Sequence, residues 1–354
     1  MKNLTTDPKN LKAGFTLGNY KIVEKIGQGG NATLYRAEQV NLKRIIALKV
    51  ISADYYKDPE FIAMFKRETQ AMAKLQHPNI VQVYDAGTVK DDISYLAMEL
   101  IEGGSLQEKI YRGDSLSLKE VLNICVKIAD ALHYGHEELQ LTHGDIKPGN
   151  ILLNIDGDPK LADFGLAETA FHCSKGNSTK IYATPHYASP ETISGKRKAF
   201  DTKSDMYSFG CMVYHLVAGS PPFKAESLKS LIAKHLKHRP PELKKTVPGT
   251  PLKLSRLVFL MMAKNPKDRP HSWKDIRDEL RDILTEEKYP GRSMLKRHWR
   301  RAFSYTKNEM LILMFILSSI LLLTKPWIGS SILCFMTLLH YIIHFRKDKS
   351  EDVK

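Results

Sequence analysis

The sequence predicts an α+β fold in which a small β-rich lobe is followed by a larger helical one. Three observations predict it. Over residues 20–89, short β-branched and apolar runs alternate with turn-forming residues. Over residues 105–284, apolar residues recur at helical spacing. With 354 residues and a 43% hydrophobic fraction, the chain can close a sizeable core and is not generally disordered.

The elements follow in order. Residues 1–19 are polar and read as an arm, with no apolar run that would make a cleaved leader. "YKIVEKIG" and "ATLYRAEQV" are strand-like and flank a glycine turn, and "RIIALKVI" is a β-branched, apolar third strand. "PEFIAMFKRETQAMAKL" interrupts the strands with helical spacing and Pro59 near its start. Helices then dominate, for example "LKEVLNICVKIADALHYGHEEL", broken by "NIDGDPK", a hairpin turn with Asp156-Gly157 at its tip. That turn is too short for a calcium loop. Cys125, Cys173, Cys211 and Cys334 are scattered and form no CxxC pair, as expected of reduced thiols in a cytosolic setting.

The candidate chemistry lies in four stretches. In "IGQGGNATLY", Gly27 and Gly29 sit between two strands, where absent side chains let a backbone lie close to phosphates. Ala32 stands where a third glycine would complete the pattern. In "IALKV", Lys49 interrupts an apolar strand and calls for an anionic partner, for which Glu68 on the following helix is the candidate. In "LTHGDIKPGN", Asp145, Lys147 and Asn150 lie within six positions, and in "LADFGLA" Asp163 precedes Phe164-Gly165. A carboxylate that accepts a hydroxyl proton and oxygen ligands for Mg²⁺ are what phosphoryl transfer needs. His133, His136 and His143 have suggestive spacing, but no cysteine or further carboxylate completes a metal site.

Taken in order, these motifs resemble the eukaryotic-type protein kinase family over residues 20–284. The resemblance implies a bilobal fold that uses ATP and Mg²⁺. It implies that Ile26, Gly27, Gly29 and Lys49 bind the nucleotide, that Glu68 orients Lys49, and that Glu99 and Ile101 take the adenine through backbone groups beside a gatekeeper, Met98. Asp145 is then the catalytic base, Lys147 the stabiliser of the transferring group, and Asn150 and Asp163 the metal ligands. His143 is the family's structural histidine, Asp205 braces the catalytic loop, and Arg269 pairs with Glu191. Lys147 and Thr184 match the Ser/Thr branch, and the motif style is similar to bacterial members. Gly144 departs from the family, whose arginine there pairs with phosphate on the activation segment. Ser189 likewise replaces the alanine of Ala-Pro-Glu. Ser174, Ser178, Thr179 and Thr184 are candidate autophosphorylation sites.

The formal charge is +14, and residues 288–354 carry 12 Lys/Arg against 4 Asp/Glu, or +8 of it. Two charge-free apolar runs, residues 310–323 and 328–345, flank "TKPW". As helices of ~1.5 Å per residue they reach about 21 and 27 Å, each somewhat short of a ~30 Å bilayer core. A single span would bury Lys325 near the midplane at about 2.5–3.5 kcal/mol, so a helical hairpin is expected, with Trp327 at the far interface. Basic residues flank both outer ends and place them in the cytoplasm with ATP. The expected organisation is an arm (1–19), a kinase domain (20–285), a basic juxtamembrane linker (286–309), a transmembrane hairpin (310–345) and a basic cytoplasmic tail (346–354). The expected protein is a multi-pass, membrane-anchored Ser/Thr kinase of a bacterial inner membrane, acting on protein substrates and touching membrane lipid. The alternative is a membrane-tethered pseudokinase scaffold. Nucleic acid is not an expected partner, because the basic segment borders an apolar one and lacks interleaved aromatic platforms.

Overall fold

Alternation along the strands builds the first lobe of the computed structural model, which describes residues 9–29, 32–51, 69–89, 93–164, 185–195 and 201–288. Six antiparallel strands, β1 (Thr16–Leu17), β2 (Tyr20–Gln28), β3 (Ala32–Gln39), β4 (Arg44–Ile51), β5 (Val83–Val89) and β6 (Ile93–Met98), lie in the order β1-β2-β3-β4-β6-β5. Successive side chains point to opposite faces. Ile46, Leu48 and Val50 of β4 therefore join Tyr20, Tyr35 and Tyr95 in one apolar cluster, while Ala47 and Ile51 join Leu96 and Met98 in another. Lys49 lies on the second face.

The segment read as an arm is partly built into this lobe. Leu11 is buried, its N–H donates to the Tyr35 hydroxyl at 3.0 Å, and Gly14 and Phe15 bond the backbone of Ile22. The cause is the apolar outer face of the sheet, which would meet water without a cover. The predicted helix 59–75 is described only from residue 69, where residues 69–72 are helical.

The second lobe is helical: α1 (Leu106–Arg112), α2 (Leu118–Leu139), α3 (Pro190–Ile193), α4 (Thr202–Ala218), α5 (Leu228–Lys237), α6 (Leu243–Thr246), α7 (Leu252–Met261) and α8 (Trp273–Lys288). Polar side chains fix the helix starts. Ser117 and Glu120 form a reciprocal capping box on α2, and Ser105, Asp201 and Ser227 cap α1, α4 and α5. Helix α4 is buried from Ser204 to Leu216 and forms the axis of the core. Cys125 and Cys211 are free and buried there, and burial pushes each thiol up to about 12, so both are inert.

Between α2 and α3 runs the hairpin β7 (Ile151–Leu153) and β8 (Pro159–Leu161), its turn held by Asn154, whose Oδ1 accepts from the backbone N–H groups of Asp156 and Asp158. The joint between the lobes is pinned to this hairpin by Gly103 N–H to Leu153 O (2.9 Å) and Leu153 N–H to Gly104 O (2.8 Å). A Cβ on Gly103 would lie 2.4 Å from the Leu153 carbonyl oxygen, so only glycine allows this approach. The chain divides into a unit Met1–Glu287 and a unit Lys288–Lys354. No helix among the described residues is long and apolar enough to cross a membrane. Both apolar runs lie outside the described residues.

Candidate active site

The loop between α2 and β7 carries three of the predicted residues. His143 is fully buried. Its Nε2 donates to Ala162 O (2.8 Å) and its Nδ1 accepts from the Asp145 N–H (3.2 Å), so the ring is neutral and bridges this loop to the end of β8. Burial holds its pKa below the ordinary histidine range. Asp205, on buried α4, accepts the N–H groups of His143 (2.6 Å) and Gly144 (2.8 Å). Gly144 stands at φ +80°, the left-handed region that costs other residues roughly 1–2 kcal/mol. Glycine is thus the unstrained choice for a loop that two N–H groups must turn toward one carboxylate.

This bracing sets the reactive side chains. Lys147 Nζ bonds Asp145 Oδ2 at 2.5 Å, and Asn150 Nδ2 donates to Asp145 O (2.8 Å) and Oδ2 (3.2 Å). The amide nitrogen of Asn150 is thereby occupied, which leaves its Oδ1 as a hard oxygen donor. Across the cleft, Lys49 Nζ lies 2.7 Å from Asp163 Oδ1. Burial opposes ionisation of Asp163, but the Lys49 ammonium that bonds it, with Lys147 adding to the field, holds its carboxyl below the usual carboxylate range. Asp163 also sits at φ +58°, a strained backbone of the kind that concentrates at functional sites. Glu68, the partner expected for Lys49, lies outside the described residues, as do Gly165, Ser174, Ser178, Thr179 and Thr184.

Phe164 explains a glycine that the sequence left unremarked. Its ring is buried, meets His143 edge-on at 5.3 Å, and rests on Gly135 of α2. A Cβ at Gly135 would lie 2.4 Å from Phe164 Cζ. Spacing alone does not reveal this, since the two residues are 29 positions apart.

The cleft walls are apolar. Ala47 and Met98 pack in one cluster with the partly buried Leu34, Leu100, Ile101 and Leu152. Leu34, Ala47 and Leu152 were not singled out in the sequence, although each flanks a motif that was. Among the described residues, neither the Ile101 N–H nor the Glu99 carbonyl is taken by a backbone hydrogen bond, whereas the Glu99 N–H donates to Gln82 O at 2.9 Å. The Glu99 side chain pairs with Lys160 at 2.9 Å. Ile26 and Gly27 lie on β2, Ile26 exposed and Gly27 opposite Leu34, and the Gly29 N–H bonds Ala32 O at 2.8 Å to narrow the turn. Behind Met98 lies a small gap bounded by Met72, Leu75, Leu96, Asp163 and Phe164.

Farther off, Arg269 and Glu191 form a buried bidentate pair (2.5 and 2.9 Å), with Ser204 donating to the same carboxylate at 2.7 Å. Ser189 accepts the Thr192 N–H and caps α3, a bond that alanine there would lack. His133 and His136 lie on α2 near Glu137, and no group of metal-ligating side chains forms among the described residues. The site therefore offers a carboxylate, two ammonium groups and hard oxygens below a glycine turn and beside an apolar slot. That is a set able to hold a nucleotide polyphosphate with a divalent cation.

Comparison with known proteins bears on the same residues. The "Protein kinase domain" family matches residues 20–280. Serine/threonine-protein kinase PrkC of Bacillus subtilis is 37% identical over 277 residues, covering 77% of this chain and 42% of PrkC. PknL of Mycobacterium bovis, also called a serine/threonine-protein kinase, is 37% identical over 266 residues, covering 75% of this chain and 65% of PknL. The chain thus spans less than two thirds of the length of these relatives. Among solved structures, the PknI kinase domain of Mycobacterium tuberculosis superposes with a TM-score of 0.62 at 28% identity, over 77% of this chain and 99% of that one.

Proposed function

We propose that this chain, which belongs to the protein kinase domain family, transfers the γ-phosphoryl group of ATP to serine and threonine hydroxyls of proteins, including its own. The observation that carries the reading is the convergence of Lys49, Asp145, Lys147, Asn150 and Asp163 on one cleft, with Lys49 2.7 Å from Asp163 and Lys147 2.5 Å from Asp145.

The adenine lies in the apolar slot against Leu34, Ala47 and Leu152 and bonds the backbone groups of Glu99 and Ile101. Gly27 and Gly29 let the β2–β3 turn approach the phosphates, with Ile26 over the base. Lys49 holds the phosphates, oriented by Glu68. Asp163 and the Asn150 Oδ1 suit Mg²⁺, a hard cation that takes oxygen ligands. When bound, Mg²⁺ neutralises the charge that develops on the transferring group. Asp145 orients the substrate hydroxyl and accepts its proton. Lys147, already beside that carboxylate, stabilises the phosphoryl oxygens. No group required by this chemistry is missing from the sequence, which favours a kinase over a scaffold.

The domain is tethered in this reading by a transmembrane hairpin over residues 310–345, following a basic linker over 286–309, with the kinase domain and the tail in the cytoplasm. Support comes from the two charge-free runs and the basic residues outside both. The test is mass spectrometry of the full chain after incubation with Mg·ATP, together with carbonate extraction of its membranes. Phosphoserine or phosphothreonine and resistance to extraction are expected. Absence of any phosphoproduct on the chain and on generic protein substrates overturns the kinase reading, and release by carbonate overturns the hairpin.

A further inference from the structure

Outside the cleft, the charge of the folded unit is concentrated in one place. Residues 224–256 hold nine Lys/Arg against Glu226 and Glu242, a net +7, whereas residues 1–287 as a whole carry +6. Everything else in the unit therefore sums to −1. These 33 residues form α5, α6, the first half of α7 and their connections, which pack on one another: the Lys244 N–H donates to Ser255 Oγ at 3.0 Å, and the Arg239 guanidinium lies 4.9 Å from the centroid of Phe259, farther along α7. Lys224, Lys229, Lys237, Arg239, Lys244, Lys245, Lys253 and Arg256 are all exposed. Only Lys245 and Lys253 are ion-paired among the described residues, with Glu242 and Glu286. Two of the most exposed large hydrophobic side chains, Leu228 (53%) and Leu252 (68%), begin α5 and α7.

We propose that the α5–α7 region is a docking surface for an anionic lipid headgroup layer. Like charges gathered on a folded surface repel one another and are stabilised by a counter-surface of opposite sign. Each Lys or Arg near an anionic leaflet contributes about 1 kcal/mol, and exposed apolar side chains among them enter the headgroup boundary. Position selects lipid over an acidic protein. The Lys253–Glu286 pair ties this region to the end of α8, where the chain departs. The next 22 residues, 288–309, add seven Lys/Arg against one Glu before the first apolar run. The proposal thus rests on the hairpin reading for proximity and on the described residues for recognition.

The test uses the full chain in phosphatidylcholine vesicles with or without phosphatidylglycerol, labelled by a membrane-impermeant amine reagent and read lysine by lysine by mass spectrometry. Labelling of Lys229, Lys237, Lys244 and Lys245 slows several-fold in the anionic vesicles only, and recovers in about 0.5 M salt, where the screening length falls below ~5 Å. The exposed controls Lys21, Lys43 and Lys119 do not change. In the variant Lys237→Glu/Lys244→Glu/Lys245→Glu, the protection of Lys229 is lost while phosphoryl transfer in detergent persists. Equal labelling in neutral and anionic vesicles overturns the proposal, as does protection by polyglutamate with none by vesicles, which assigns the face to an acidic protein. If carbonate releases the chain, the hairpin reading fails separately. The same labelling contrast on chain added to preformed vesicles then decides this one.

Discussion

Gly135→Ala is the most discriminating single change, because its effect on chemistry is expected to exceed its effect on stability. In the structure a Cβ at this position would lie 2.4 Å from Phe164 Cζ and 3.1 Å from Cε1 and Cε2. Ordinary contact begins near 3.4 Å, so the ring must retreat by about 1 Å. It cannot do so freely, being buried against His143. Overpacking of this kind costs typically ~1–3 kcal/mol. The exchange of glycine for alanine within a helix returns roughly 1 kcal/mol. The net loss is then about 0–2 kcal/mol, a fall in Tm of at most ~8 °C for a domain of this size. Asp163 precedes Phe164 in the chain and holds Lys49 at 2.7 Å. A shift near 1 Å at reacting groups lowers turnover about 10²-fold. The assay pairs kcat for peptide phosphorylation with thermal unfolding, in Gly135→Ala, Phe164→Leu and the double variant. The smaller leucine side chain leaves room for the new methyl group, so the double variant should be less impaired than the two single losses combined. Wild-type kcat in Gly135→Ala, or strictly additive losses, would refute the argument that this glycine seats the ring beside the site.

Four further outcomes are expected. Gly144→Ala lowers stability by about 1–2 kcal/mol in urea unfolding, because φ +80° favours glycine; no change would mean the loop relaxes freely. Alanine at Ser174, Ser178 and Thr179 together leaves most activity, since Gly144 removes the arginine that answers activation-segment phosphate in the family; loss of activity with the fold intact sinks that expectation. Burial pushes Asp205 up to about 7, against the two backbone N–H groups that favour its ionised form. A raised carboxyl favours the folded state while protonated, so its contribution is full below about pH 4 and is lost as pH rises toward 7, at no more than ~1.4 kcal/mol per pH unit. Urea unfolding across that window in wild type and Asp205→Asn isolates this slope, and identical slopes contradict it. Arg269→Ala strands the Glu191 carboxylate in the interior and destabilises by roughly 3–5 kcal/mol, measured by denaturant midpoint.

What the sequence made legible was local. Strand β4 is found over the stretch read from "RIIALKVI", and α2 over the stretch read from "LKEVLNICVKIADALHYGHEEL", because period-two and helical patterns are written within a few residues. The Asp205 brace and the Arg269–Glu191 pair were legible only through the family resemblance, since each joins residues more than 60 positions apart. What escaped was three-dimensional complementarity. Leu11 looks like one apolar residue in a polar arm until the outer sheet face needs a cover. Gly103 and Gly135 are required by atoms that lie far along the chain, and the left-handed backbone of Asp163 is set by the packing around it. The +7 surface over residues 224–256 was hidden in a whole-chain total that the C-terminal segment dominates.

The central claim is that Asp145 and Lys49 carry out phosphoryl transfer in this cleft. Its most direct test is transfer from γ-labelled ATP to protein Ser/Thr hydroxyls by wild type, Asp145→Ala and Lys49→Met, each shown to be folded by thermal unfolding. Label in the wild type and its abolition in both variants is the predicted result. Undiminished transfer in either variant contradicts the account.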